Sequence, residues 1–277
     1  MRFLTFILSH SVFISCCAAA LCFQTNILLD IPHSPTVYGF IFFSTLCSYN
    51  FYWLLSKFYF SRRSPLFPFL KKEASLLAVF IFSAAGTLYF LLMAKGLFPG
   101  AAVGAILTMI YALPLLPFRF SKRMQKAGFL KTMLLAFTWA YVTTAIPASA
   151  LPDLRWLSFV TLFSARFFFM LLLCIIFDQR DESADKIRGL HSLATDLNRG
   201  QLNIIIHIVF ASYFISGLFL RYYFHDTAQL IAFTATGILV WLVYRRSLKP
   251  QPYIFYYFIA DGLMIISALG TYLADQF

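Results

Sequence analysis

Nine apolar runs of about twenty residues, separated by short gaps that alternate in charge, constrain this chain more than any other feature. The runs cover roughly 3–23, 37–60, 74–94, 98–117, 130–150, 156–177, 201–221, 228–244 and 253–274. About twenty apolar residues is what an α-helix needs to cross the hydrocarbon core of a bilayer. Backbone N–H and C=O groups find no water there, so each run reads as a helix that satisfies its own hydrogen bonds. The fourth run carries Pro99, Gly100, Gly104, Pro114 and Pro117, which predicts a kink or an early end near Tyr111 to Pro117.

The gaps set the orientation that the chain should take. One set holds Arg2; Lys57, Arg62, Arg63, Lys71 and Lys72; Arg119, Lys122, Arg123, Lys126 and Lys131; Arg180, Lys186, Arg188 and Arg199; and Arg245, Arg246 and Lys249. The other set holds only Lys95, Arg155 and Arg221, and Arg166 lies inside the sixth run. Cytoplasmic loops carry the excess of Lys and Arg. The asymmetry predicts a cytoplasmic N-terminus and an outer C-terminus, supports the count of nine, and fits a bacterial inner (plasma) membrane. The net charge of +11 is therefore a topology signal and not a sign of nucleic-acid binding.

Charged residues make up 12% of the chain, against about 25% in a soluble domain. The expectation is an all-α, polytopic integral membrane protein. It forms a single transmembrane helical domain over 1–277, with loops near 60–73, 118–130, 178–200 and 245–252. Residues 3–23 also have the outline of a signal peptide, but the run is long for one and a retained first span is simpler. Cys16, Cys17, Cys22, Cys47 and Cys174 have no zinc or redox spacing and read as small buried hydrophobes.

One stretch stands apart: Asp178-Gln179-Arg180-Asp181-Glu182-Ser183-Ala184-Asp185-Lys186-Ile187-Arg188-Gly189, at the end of the sixth run. Carboxylates so close to a span are costly unless something positive sits with them. Asp181 and Asp185 are four apart and share one face of a helix. Two acidic oxygens on one face suit a hard divalent cation, and Mg²⁺ commonly brings a phosphate with it. The bland alternative is a solvated face paired locally with Arg180, Lys186 and Arg188.

Asp178 to Leu193 reads D-x-x-D-x-x-x-D-x-x-x-G-x-x-S-L. It resembles the second aspartate-rich motif of the UbiA superfamily of intramembrane prenyltransferases. Tyr111-Ala112-Leu113-Pro114, followed by Arg119, Lys122 and Arg123, resembles that family's Tyr/Pro/basic segment after span four. Gly128 to Lys131 falls where members often carry Gly and Asn. The resemblance implies about nine helices around a central cavity, with two aspartate-rich motifs facing each other. These hold Mg²⁺, which binds a prenyl diphosphate. Ionisation of the allylic C–O bond gives a carbocation that a lipophilic acceptor captures. On this reading Asp181 and Asp185 are catalytic and, with Asp178, ligate Mg²⁺. Asn50, Lys57, Tyr111, Arg119 and Lys122 contact substrate.

The first motif, N-x-x-x-D-x-x-x-D in the family, departs here: Asn50 is present, but Leu54 and Phe58 stand in place of the aspartates. Lys57 can offer a point charge to diphosphate, but an ammonium cannot ligate Mg²⁺. Two functions follow. One is a UbiA-like prenyltransferase acting on a prenyl diphosphate and an aromatic or lipid acceptor. The other is a catalytically inactive relative that binds an isoprenoid or other membrane lipid. A small transporter is a third class, for which Arg166 and Asp261 supply too few polar groups. Those two charges lie deepest in the spans and are expected either to pair or to line a polar cavity. Tyr111 is open between an interfacial aromatic and a substrate contact, and Arg119, Lys122 and Arg123 between topology signals and ligands. His207 reads as a core histidine and His191 as a loop histidine. No G-x-S-x-G, Walker A, H-E-x-x-H or G-x-G-x-x-G is present.

Overall fold

In lipid a helix is the only open-ended element that leaves no backbone group unpaired, and every described element is helical. The computed structural model describes residues 2–60, 66–112, 128–149, 155–188, 191–224 and 227–277. The first run becomes α1 (Arg2–Ser9) and α2 (Val12–Leu28), bent by 66° at their junction. Ser11 in that junction has φ 63°, a left-handed conformation that ends the first helix. Then come α3 (Pro35–Phe60), the short α4 (Leu66–Lys72), α5 (Ala74–Met93) and α6 (Phe98–Ala112). Next is α7 (Gly128–Ala140), which continues through a π-turn at Tyr141–Ala145 into Ile146–Ala148. The chain finishes with α8 (Trp156–Arg188), α9 (Leu193–Asp196), α10 (Arg199–Phe224), α11 (Thr227–Ser247) and α12 (Asp261–Ala274), the last preceded by a π-turn at Phe255–Ala260.

Among the described residues, six helices are long and apolar enough to cross a membrane, and a seventh if α1 and α2 count as one bent span. The remaining two predicted runs differ in kind. α3 has ample length at 26 residues but carries Ser48, Tyr49, Asn50 and Tyr52 along its second half. α6 has only 15 described residues. Pro114 and Pro117, expected to end it, lie outside the described residues.

Burial orders the helices from centre to rim. In α8, 61% of the most apolar stretch is buried, against 11% in α5. α8 is thus the central post, packed on α7 and α10, while α5 turns Ile81, Phe82, Leu88 and Leu92 outward to lipid. α3 and α5 pack closely: a Cβ on Gly39 would come within 2.5 Å of the Phe90 ring, and one on Gly86 within 2.5 Å of the Phe43 ring. Such small-residue contacts bring membrane helices together.

The acidic stretch is helix and not loop. α8 runs on past the predicted end at 177 to Arg188. No Pro or Gly interrupts it before Gly189, and Glu182 pairs with Lys186 one turn on at 2.5 Å. The acids therefore extend the most buried helix as a rigid projection.

Candidate functional site

The three aspartates at the end of α8 are held differently. Asp178 Oδ2 accepts hydrogen bonds from Thr132 Oγ1 at 2.6 Å and from the Leu193 backbone N–H at 3.2 Å. It ties together α7, α8 and the start of α9. A parallel tie lies alongside, where Asp196 Oδ2 accepts the Gly128 N–H at 3.1 Å and Asp196 Oδ1 meets His191 Nδ1 at 2.5 Å. Gly128 has no room for a side chain, because a Cβ there would collide with the backbone of His191 and Ser192. The start of α7 can dock so closely only as glycine.

Asp181 is gripped by its neighbour: Arg180 Nε donates to Oδ1 at 2.8 Å and Nη2 to Oδ2 at 2.7 Å. The Arg180 guanidinium is itself stacked, 4.8 Å from the Phe177 ring centre and 4.8 Å from that of Tyr257. The Asp181 side chain is 43% exposed, so this pairing is worth at most about 1 kcal/mol and exchanges readily for a stronger partner. Asp185 is half-buried and its charge reaches Asp178.

α3, α6 and α7 bring aromatic and basic groups to the same place. The Tyr111 ring lies 5.3 Å from that of Tyr52, and Lys131 Nζ is 5.5 Å from the Tyr111 ring centre. Lys131 also faces Asp178 electrostatically, as Asp178 faces Tyr111. One turn before Tyr52, Tyr49 accepts a hydrogen bond from Trp139 Nε1 at 3.2 Å. The arrangement is an acidic helix end beside a lysine and three tyrosines.

The residues expected on the opposing wall behave otherwise. Asn50 is fully buried and donates both Nδ2 protons to backbone carbonyls, of His10 at 3.0 Å and Leu46 at 2.7 Å. It anchors α3 to the bend between α1 and α2. Lys57 pairs with Glu73 at 2.5 Å, linking α3 to the start of α5. Arg119 and Lys122 lie outside the described residues. So Asp178 lies within electrostatic reach of both Asp185 and Tyr111, Asp181 is in an exchangeable pair with Arg180, and Asn50 and Lys57 are engaged elsewhere.

The donor set decides what metal chemistry fits. Among the described residues no group of three His, Cys, Asp or Glu is poised around a single point. The α3 wall offers no carboxylate at 54 or 58. A pair of ions held between two acidic walls does not fit. A single Mg²⁺ does, because that ion takes one or two carboxylates and fills its octahedron with water and substrate phosphate. Asp181 and Asp185, one turn apart and both partly exposed, are the donors that meet this need.

Sequence reasoning missed Lys131, Thr132, Tyr49 and Tyr52 as site residues. Lys131 read as one more topology cation. The only sequence signal was positional: Tyr49 and Tyr52 flank Asn50 at helical spacing. Arg166 and Asp261 do not pair. Arg166 Nη2 reaches the Leu21 carbonyl at 3.2 Å and Thr25 Oγ1 at 3.4 Å, both on α2. Asp261 lies nearer the acidic end, in the field of Arg180. His207, expected in the core, is on the outer face of α10 with Nδ1 2.6 Å from the Asn203 carbonyl. His191 is spent on Asp196.

No protein-family model matches the sequence, and no curated protein matches it. Solved structures do match the fold. One is a digeranylgeranylglyceryl phosphate synthase, at 16% identity over 99% of this chain and 99% of that one, with a TM-score of 0.63. Another is the apo structure of a UbiA homolog from Aeropyrum pernix K1, at 11% identity over 96% of this chain and 97% of that one, with a TM-score of 0.59. The chain has the fold of the UbiA prenyltransferases, end to end, and is an integral membrane protein.

Proposed function

We propose that this chain is a UbiA-family prenyltransferase that binds a prenyl diphosphate at the acidic end of α8 and passes its prenyl group to an aromatic or lipid acceptor. The observation that carries the reading is the acidic face from Asp178 to Asp185. It projects from the most buried helix of a UbiA-type fold into a cluster with Lys131 and Tyr111. Under positive-inside topology this end faces the cytoplasm of a bacterial inner membrane, where a charged donor is available.

Each residue has a task on this reading. Asp181 and Asp185 hold a single Mg²⁺, which when bound supplies Lewis-acid stabilisation of the charge growing on the leaving diphosphate. Lys131 adds a fixed positive charge beside that anion. Asp178 positions α7 and α9 and keeps Lys131 in register through Thr132. The faces of Tyr52 and Tyr111 offer π density to an allylic cation. The surrounding apolar helices take the prenyl tail and exclude water from the cation.

A second reading has its own observation. The α3 wall carries a locked Asn50 and apolar residues at 54 and 58, and this favours an inactive relative that binds an isoprenoid without turnover. Diphosphate release decides between them. Purified protein in lipid vesicles is given geranylgeranyl diphosphate, Mg²⁺ and a membrane-lipid extract as acceptor. Release that disappears in Asp181→Asn/Asp185→Asn supports the transferase. Saturable binding with no release supports the inactive relative, and absence of both overturns the two together.

A further inference from the structure

α10 and α11 pack side by side and antiparallel, and the seam between them changes from apolar to basic along its length. On α10, Phe214, Phe210, His207, Asn203 and Arg199 follow one another at steps of four, three, four and four, so they form one stripe. On α11, Ile238, Trp241 and Arg245 form another, at steps of three and four. Both stripes turn from apolar to polar at the same depth, because their rings meet there. The Phe210 and His207 ring centres lie 5.1 and 5.8 Å from that of Trp241, and the Arg245 guanidinium is 5.9 Å from the Trp241 ring centre.

The apolar part of the seam is an open groove of about 320 Å³ lined by Phe210, Phe214, Ile238 and Trp241. Ligand clefts run from about 300 to 1,000 Å³. Gly237 shapes its floor: a Cβ there would come within 2.8 Å of the Phe214 ring, so only glycine lets that ring lie against α11. Ile238 is 52% exposed, and the groove opens on the lipid-facing side. The polar end begins about 6 Å further along α11, at Arg245. Arg199, Arg245 and Arg246 are all exposed, and among the described residues none of them is in an ion pair.

We infer that α10 and α11 form a binding site for one anionic phospholipid. Arg245 holds the phosphate, with Arg199 and Arg246 adding charge around it, and one acyl chain lies in the groove along Trp241, Phe210, Phe214 and Ile238. A guanidinium fork matches two phosphate oxygens at once, and basic pockets between membrane helices take anionic headgroups. Charge selects the occupant. A zwitterionic lipid fills the groove equally well but brings its own cation to the arginines, whereas an anionic lipid leaves its phosphate to them. The site lies on the outer face of the bundle and does not depend on the diphosphate site proposed above.

The test uses the full-length protein in detergent. Dioleoyl phosphatidylglycerol and dioleoyl phosphatidylcholine, which share their chains, are titrated separately and the complexes counted by native mass spectrometry. The expected result is one phosphatidylglycerol bound saturably, with phosphatidylcholine at least about tenfold weaker, since each arginine near an anionic lipid contributes about a factor of five. Arg245→Gln/Arg246→Gln should bring phosphatidylglycerol down to the level of phosphatidylcholine and leave phosphatidylcholine unchanged. Ile238→Trp, which fills the groove without touching the charge, should weaken both. All three positions are exposed, so each variant should keep the thermal midpoint of wild type. Equal binding of the two lipids, or phosphatidylglycerol binding unchanged by either variant, overturns the inference and leaves ordinary solvation by lipid. A dimer whose formation expels the lipid would give the groove to a second copy of the chain and overturn it as well.

Discussion

α3 and α8 approach Tyr111 with opposite chemistry, α3 through the Tyr52 ring and α8 through the charge of Asp178. Over two turns α8 presents Asp178, Asp181 and Asp185, while α3 presents Asn50, Leu54 and Phe58. The carboxylates of α8 split their work. Asp178 is fixed by a threonine hydroxyl and a backbone N–H, whereas Asp181 is held only by an exchangeable neighbour. On α3 the sole polar side chain of the three is turned to the backbone at the bend between α1 and α2 and is wholly buried. One wall has kept groups that can bind, and the other has been given over to packing. The difference separates carboxylates that remain partly exposed from a side chain that serves only the scaffold, with Asn50 and Asp178 each tying helices together.

Substitutions that separate scaffold from binding sharpen that comparison. The largest stability loss is expected at Gly128→Ala, where a methyl group meets fixed backbone. About 1–3 kcal/mol of overpacking should lower the thermal midpoint whether or not ligand is present. Asp178→Ala should cost about 2 kcal/mol by stranding the Leu193 N–H and leaving Thr132 Oγ1 only the Gly128 carbonyl at 3.2 Å. Asp178→Asn, which keeps an acceptor oxygen, should restore most of it, and equal losses in both variants would show that charge and not hydrogen bonding fixes this residue. Asn50→Ala should cost about 1 kcal/mol with no change in prenyl diphosphate affinity, and an affinity loss at normal stability would return α3 to the binding wall. Lys57→Ala should cost less than about 1 kcal/mol, as exposed pairs do, again with affinity unchanged.

Much of this was legible in the sequence, and the rest was not for physical reasons. Apolar length located the helices because lipid leaves the backbone no alternative. The acidic face was legible because Asp181 and Asp185 stand at helical spacing. The extension of α8 to Arg188 was not, since charged residues at a span end read as a loop until the Glu182–Lys186 pair is seen. The π-turns at Tyr141–Ala145 and Phe255–Ala260 leave no mark in apolar periodicity. Lys131 and Thr132 could not be read as partners of the acidic end, because contacts between α7 and α8 are tertiary. Asn50 reads in the sequence as part of a motif, but its bonds to His10 and Leu46, which tie α3 to the bend before α2, are tertiary and leave no mark there.

The claim that one acidic wall suffices is tested most directly by thermal unfolding with geranylgeranyl diphosphate, with and without Mg²⁺, in wild type and in Asp181→Asn/Asp185→Asn. At ligand concentrations near a hundred times Kd, binding to the folded state adds about 2.7 kcal/mol. The account predicts a rise in midpoint that requires Mg²⁺ and vanishes in the double variant, whose own midpoint stays close to wild type. No rise, or a rise that the double variant retains, would contradict it.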